Sequence, residues 1–289
     1  MDRPSHRTCC VRQHRSARLR NFRAHAAGVT AICLAFGQSA FACDLAAQGD
    51  GRVAAIIDGR TMRLDDGREI RLAGIELPVG SQDRQHAHAA LAALTEGRAV
   101  SLRGSDDAPD RYGRQTGFAF GDRAETSIQT ALLEQGAAMM SPVIDATCLP
   151  QLSEAENIAR RAKRGIWANP AALKNAERPG DILTALGQFG VVEGRVLSVR
   201  QAGAVTYVNF GRRWTQDFAV TLSKRTVTAF EEAQITVKSF ENRNIRVRGW
   251  IGQRGGPRIE VFRVEQIDVL GENESSPGRG RVQGGLKTN

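Results

Sequence analysis

From Gly51 onward the chain sets short apolar runs between turn residues. Val53-Ala54-Ala55-Ile56-Ile57 is followed by Asp58-Gly59, then Thr61-Met62-Arg63-Leu64, Asp66-Gly67 and Glu69-Ile70-Arg71-Leu72. Two turn signals between three such runs predict a meander of strands. A helix is expected next: Ser81 can cap it, Ala87, Ala90, Leu91 and Leu94 fall on one face, and Gly97 ends it. Two further strands, Ala99 to Leu102 and Thr116 to Phe120, flank a polar loop holding Asp110-Arg111-Tyr112-Gly113-Arg114. Thr126 with Gln129 and Ser153 with Glu156 each fit a capping box, opening helices that stop at Gly136 and Gly165. The first half thus reads as a five-stranded barrel with three helices.

Residues 170–186, with Asn169-Pro170 just before and Arg178-Pro179-Gly180 inside, read as a linker. Strand patterning returns at Val191 to Leu197, Val205 to Phe210, Asp217 to Leu222, Asn244 to Gly249 and Arg258 to Ile267, with a helical piece near Thr228 to Ala233. Five strands over residues 187–270 predict a second small OB-like β-barrel. The fold class expected is mainly β with helices, two barrels in series. Residues 271–289, rich in Gly, Ser and charge, are expected to be a disordered tail.

Composition changes this picture in one respect. Of a formal net charge of +9, residues 1–42 carry seven Arg and one acid, which leaves +3 for residues 43–289. A histone-like polycation and a disordered, solvating chain are both excluded. The leader has a basic stretch, an apolar run from Ala26 to Phe36, and Ala40-Phe41-Ala42 before Cys43, the plan of a signal peptide with an A-x-A cleavage site. Its apolar run is about half the ~20 residues that span a bilayer, so no membrane anchor is expected. The basic stretch is long for a signal peptide, which leaves the translation start open. Cys43 after the cleavage site raises a lipoprotein, but the Leu that a lipobox wants near Ala40 is missing. Periplasmic or secreted localisation follows. After cleavage Cys43 and Cys148 alone remain, and in an oxidising compartment they form the expected disulfide, closing a loop of ~105 residues worth roughly 4–5 kcal/mol.

The run Asp58-Gly59-Arg60-Thr61, then Ile70 to Pro78, then Asp110 to Arg114, then Ala155 to Arg160 and Arg164-Gly165-Ile166-Trp167 resembles the staphylococcal nuclease-like (thermonuclease) family over about residues 50–169. The second half resembles OB-type domains that follow such domains in some exported bacterial proteins. The resemblance implies phosphodiester hydrolysis with calcium held by carboxylates, a glutamate acting on water, and two arginines on the phosphate. Both arginines are present, as Arg71 and Arg114. The family's D-G-D-T is here Asp58-Gly59-Arg60-Thr61, which puts a cation at a metal-ligand position. The family's D-T-P-E is here Glu76-Leu77-Pro78-Val79, which leaves Glu76 as the one remaining metal-ligand candidate and replaces the glutamate by Val79. A positioned general base is worth about 10²–10⁴-fold, so activity is expected to be lost together with calcium. Arg60 beside Glu76 is expected to form an ion pair. The cluster reads as a salt-bridge network, as a metal-free anion site, or as a rearranged nuclease centre.

Residues 50–170 hold 15 basic and 17 acidic residues, a net of −2, and residues 187–270 hold 13 and 8, a net of +5. Any nucleic acid or other polyanion is therefore expected on the second barrel. Tyr207, Arg212, Arg213 and Trp214, and the strand Arg246-Val247-Arg248-Gly249-Trp250, interleave aromatics with arginine as single-strand binders do. Aromatics at alternate strand positions also suit a core, and the core is the reading preferred for Trp214. His86 and His88, two apart on a helix, cannot ligate one metal as an i, i+4 pair would. The basic cluster Arg160 to Arg164 is expected simply to complement its helix dipole. The expected function is an exported thermonuclease-like protein with a degenerate catalytic set, binding nucleic acid or anions or serving as a scaffold. The competing classes are a secreted phosphodiesterase with altered metal use, and a cell-envelope interaction protein whose protein partner the sequence does not name.

Overall fold

In the computed structural model, residues 45–106, 108–122, 124–142 and 148–271 are described. The expected leader, Cys43 and all but Gly271 of the expected tail lie outside them. The first domain contains β1 (Ala46–Asp58), β2 (Thr61–Leu64), β3 (Glu69–Leu72), β4 (Ile75–Glu76), α1 (Ser81–Thr95), β5 (Ala99–Gly104), β6 (Arg114–Gly121), α2 (Ile128–Glu134), β7 (Met139–Met140) and α3 (Leu149–Arg161). Its closed barrel runs β1-β2-β3-β6-β5, with β3 and β6 parallel. β1 is long enough to pair with both β2 and β5, and irregularities between Val53 and Ala55 and between Ile56 and Asp58 bend it to do so. Alternation points Val53, Met62, Leu64, Ile70, Leu72, Val100, Leu102 and Phe118 into one core, which α1, α2 and α3 cover.

The helix starts differ from the sequence expectation. α1 begins at Ser81 itself after Gly80, and no side chain caps it. Ser127, not Thr126, caps α2 by accepting from the Thr130 N–H at 3.1 Å. Gln129 clamps β6 instead, accepting from Ala119 N–H and donating to the Gly117 carbonyl. α3 begins four residues before Ser153, so Glu156 lies inside the helix and is fully buried. Its chain reverses at Lys163, at φ 51°, and Gly165 then abuts Gly136, where a Cβ on Gly165 would stand 2.3 Å from the Gly136 carbonyl oxygen.

Residues 170–186 are not a linker. They form β8 (Leu173–Asn175) and α4 (Pro179–Leu183), and Ala176, Ile182 and Ala185 join the second core. β9 (Phe189–Arg195), β10 (Ser198–Ala202), β11 (Val205–Asn209), β12 (Ala219–Ser223), α5 (Lys224–Glu232), β13 (Asn244–Arg254), β14 (Gly256–Val261) and β15 (Ile267–Val269) follow. The eight-stranded sheet runs β10-β11-β12-β14-β13-β9-β8, with β15 also on β13. Only Val196 and Leu197 separate β9 from β10, so the path curls back to where it begins. With β9 and β10 counted as one bent strand, the order and the parallel pair, β12 with β14, repeat those of the first barrel. Among the described residues the fold is mainly β with five α-helices, in sheets of five and eight strands and a two-stranded pairing of β4 with β7. No helix among the described residues is long and apolar enough to cross a membrane.

Both barrels fall in one contact unit beginning at Phe41. They meet through the outward face of β13. Arg248 reaches Glu156 on α3 at 2.7 Å and Asp268 at 3.0 Å, and Arg246 binds Glu193 at 2.6 Å. Burial pulls the Arg248 pKa down, but Glu156 and Asp268 outweigh it and the net shift is upward. Arg160, expected only to complement the helix dipole, turns inward towards Glu193 at 4.0 Å. Burial and the neighbouring Arg246 lower its pKa.

Candidate functional site

Strand register builds the first cluster. β3 pairs with β6 so that Glu69 stands level with Arg114, and Arg71 is the next residue of β3 on the same face as Glu69. The turn after β1 adds Asp58 and Arg60, and β4 adds Glu76. Arg60 makes an ion pair with Glu76, donates to the Ile75 carbonyl, and takes Asp58 Oδ1 on its own backbone N–H at 2.8 Å. Arg71 donates to the other Glu76 oxygen at 3.2 Å. The Arg71 pKa is lowered first by burial and then by Arg60, with Arg114 adding to the repulsion and Glu76 and Asp58 opposing it. Arg114 donates from Nε and Nη2 to one oxygen, Oδ2, of Asp110, at 3.0 and 2.8 Å, and its guanidinium lies 4.9 Å from the centre of the Tyr112 ring.

Calcium prefers six to eight oxygen ligands, several of them carboxylates. This cluster offers Asp58 and Glu76, with the Arg60 guanidinium already on the second. Among the described residues no group of three or more His, Cys, Asp or Glu side chains is placed to hold a metal. The residues present do not fit the metal that the resemblance implies.

Val79, three residues after Glu76, packs towards the second barrel. Half-buried, it packs on the second core and, with Pro78, Asp83, Met139 and Phe189, lines a 220 Å³ cleft between the barrels. A residue at this position serves the seam between domains. His86 and His88 are exposed on α1.

The second barrel carries a larger groove of about 800 Å³ across the outer face of β10, β11, β12 and β14. Three of the four sequence candidates line it: Tyr207, Arg212 and Trp214. Arg213 does not, and its guanidinium points to Asp217 at 3.9 Å. Trp214 is 78% exposed, which overturns its reading as a core residue. It sits in a turn, not a strand, and so escapes the inward alternation. Arg246 and Arg248, read from sequence as part of an interleaved binding stripe, are buried in ion pairs and have no free face for phosphate. Arg200, Arg254 and Arg258 were missed by sequence reasoning and line the groove. Their signal was alternation: Arg200 shares a strand face with Ser198 and Ala202.

A closed five-stranded barrel covered by three helices carries Arg71 and Arg114 on adjacent strands, the architecture of a nuclease-type barrel. Residues 69–169 match the family model for staphylococcal nuclease homologues. The match opens at β3, so β1, β2 and Arg60 precede it although they close the same barrel. No curated protein matches the chain.

Proposed function

We propose that this protein is an exported, non-hydrolysing relative of the thermonucleases that binds nucleic acid or another polyanion, using the first barrel as a scaffold and the second for contact. The observation that carries this reading is the Arg60–Glu76 ion pair, seconded by Arg71. An internal cation stands on the carboxylate that a metal would need, and a guanidinium repels a divalent ion. With Val79 unable to take a proton, both metal activation and general-base catalysis are lost, and these together supply most of the acceleration such a site offers.

Export is supported by the leader pattern in the sequence, and a Cys43–Cys148 bridge by the engagement of Cys148 as a disulfide cysteine. The purified protein, incubated with single- and double-stranded DNA and RNA in calcium or in chelator, is expected to leave every substrate intact. Cleavage in calcium that chelator abolishes would instead establish a phosphodiesterase with altered metal use.

A further inference from the structure

We propose that the groove on the second barrel is a site for single-stranded nucleic acid, with Arg200, Arg212, Arg254 and Arg258 taking phosphates and Tyr207 and Trp214 stacking on bases. The inference rests on the reading of the protein as a nucleic-acid binder and gives that reading its site and its ligand.

The register makes the face. Val199, Val208, Val220, Leu222 and Ile259 point into the second core. Alternation therefore turns their neighbours outward. Arg200 pairs with Tyr207, and Tyr207 with Thr221. One step along, Ser198, Asn209, Ala219 and Arg258 form a second row over four strands. At ~4.8 Å per strand this row is about 14 Å long. Small Ala219 and Ala202 leave the floor open, and Arg254 lines the groove from the end of β13.

Pairing separates this surface from the arginine cluster of the first barrel and from the arginines at the seam. Arg60, Arg71, Arg114, Arg246 and Arg248 are all held by carboxylates. Arg200, Arg212, Arg254 and Arg258 form no ion pair among the described residues, although all four line one groove. Asp217 is the acid that lines it, and that carboxylate accepts from the Arg213 N–H at 2.7 Å and faces the Arg213 guanidinium. Glu260 sits at the far end of the Tyr207 row and does not line the groove. Four guanidinium groups outside any ion pair among the described residues favour a polyanion, since each phosphate neutralised releases counterions.

The aromatics narrow the ligand. Trp214 is presented by a turn in which the Gln216 and Asp217 N–H groups both donate to the Arg213 carbonyl at 2.8 Å. The indole is held out in water beside the arginines, while Tyr207 lies half-buried on the sheet below. Stacking on such rings requires an unpaired base face, which a duplex does not offer.

The test is fluorescence anisotropy of a labelled 12-nucleotide oligo-dT with the purified protein, in chelator so that hydrolysis is silent. The single strand is expected to bind more tightly than a duplex of equal length, with a log–log salt slope of about −0.7 per phosphate contacted. Arg254→Glu with Arg258→Glu should weaken binding and flatten that slope. Trp214→Ala should weaken it about 5- to 150-fold with an unchanged melting curve, and Trp214→Phe should recover most of the loss. Arg71→Gln with Arg114→Gln should bind as the parent does. If groove variants bind normally while the Arg71/Arg114 variant fails, the groove is rejected and nucleic-acid binding stands. Absence of any binding overturns both. Equal competition by polyphosphate, with Trp214→Ala silent, rejects the single-strand assignment.

Discussion

Arg248 of the second barrel and Glu156 of the first meet at 2.7 Å with both side chains 1% exposed. Glu156 spends its other oxygen on the Met140 N–H at 2.8 Å, so the pair ties α3, β7 and β13 together. Breaking a buried pair strands a charge, at a cost of about 3–5 kcal/mol, whereas replacing both partners by apolar groups is often near neutral. Arg248→Met alone is therefore expected to lower unfolding free energy in urea by several kcal/mol. Adding Glu156→Leu should restore at least half of that loss. Additive losses in the double variant would show that the two side chains do not act as a pair.

The Arg60–Glu76 pair gives a second prediction. Arg60→Asp places a third carboxylate beside Asp58 and Glu76 and removes the cation that neutralises them. Its melting temperature is expected to rise with millimolar calcium, because a ligand at 100 times its Kd stabilises by about 2.7 kcal/mol. The parent protein should show no such rise. A calcium-induced rise in the parent would mean that the Arg60–Glu76 pair yields to metal.

The turns after Asp58 and Asp66, the apolar face of α1 and the alternation of the first barrel were legible because each is local. What involved partners was not. Ser153 and Glu156 match the spacing of a helix start, yet Glu156 is buried mid-helix because an arginine 92 residues later needs it. Arg246 and Arg248 read as a free basic stripe for the same reason: sequence shows charge but not what answers it. The pairing of Arg60 with Glu76 was legible because both stand in motifs that the resemblance places at one site and their charges are opposite. Residues 170–186 read as a linker from their Pro and Gly, and their three buried apolar residues are too sparse to show a period.

Val79 supports a third prediction. Restoring a glutamate there would set a carboxylate in the apolar cleft lined by Pro78, Met139 and Phe189. Val79→Glu is expected to destabilise the protein by about 1–3 kcal/mol at neutral pH, less in acid where the carboxyl is neutral. It should bring no calcium-dependent hydrolysis. Measurable cleavage by this single variant would show that position 79 reaches the phosphate site.

Asp110 gives the pH dependence. The Arg114 guanidinium, and after it the backbone N–H groups of Arg114 and Tyr112, hold its carboxyl down from 3.8 to about 2. A carboxyl with a depressed folded-state pKa adds stability that is complete above its unfolded value and disappears as pH falls through the folded one. The Asp110 contribution should thus be intact above about pH 4 and fade between there and pH 2. In NMR titration the Asp110 carboxyl should move with a midpoint near 2, and Arg114→Gln should return that midpoint towards 3.8. Because the pair is partly open to solvent, the stability lost with Arg114→Gln is expected to be small and to shrink in high salt. A midpoint near 3.8 in the parent protein would mean that Arg114 is not held by Asp110, leaving its guanidinium free for an anion.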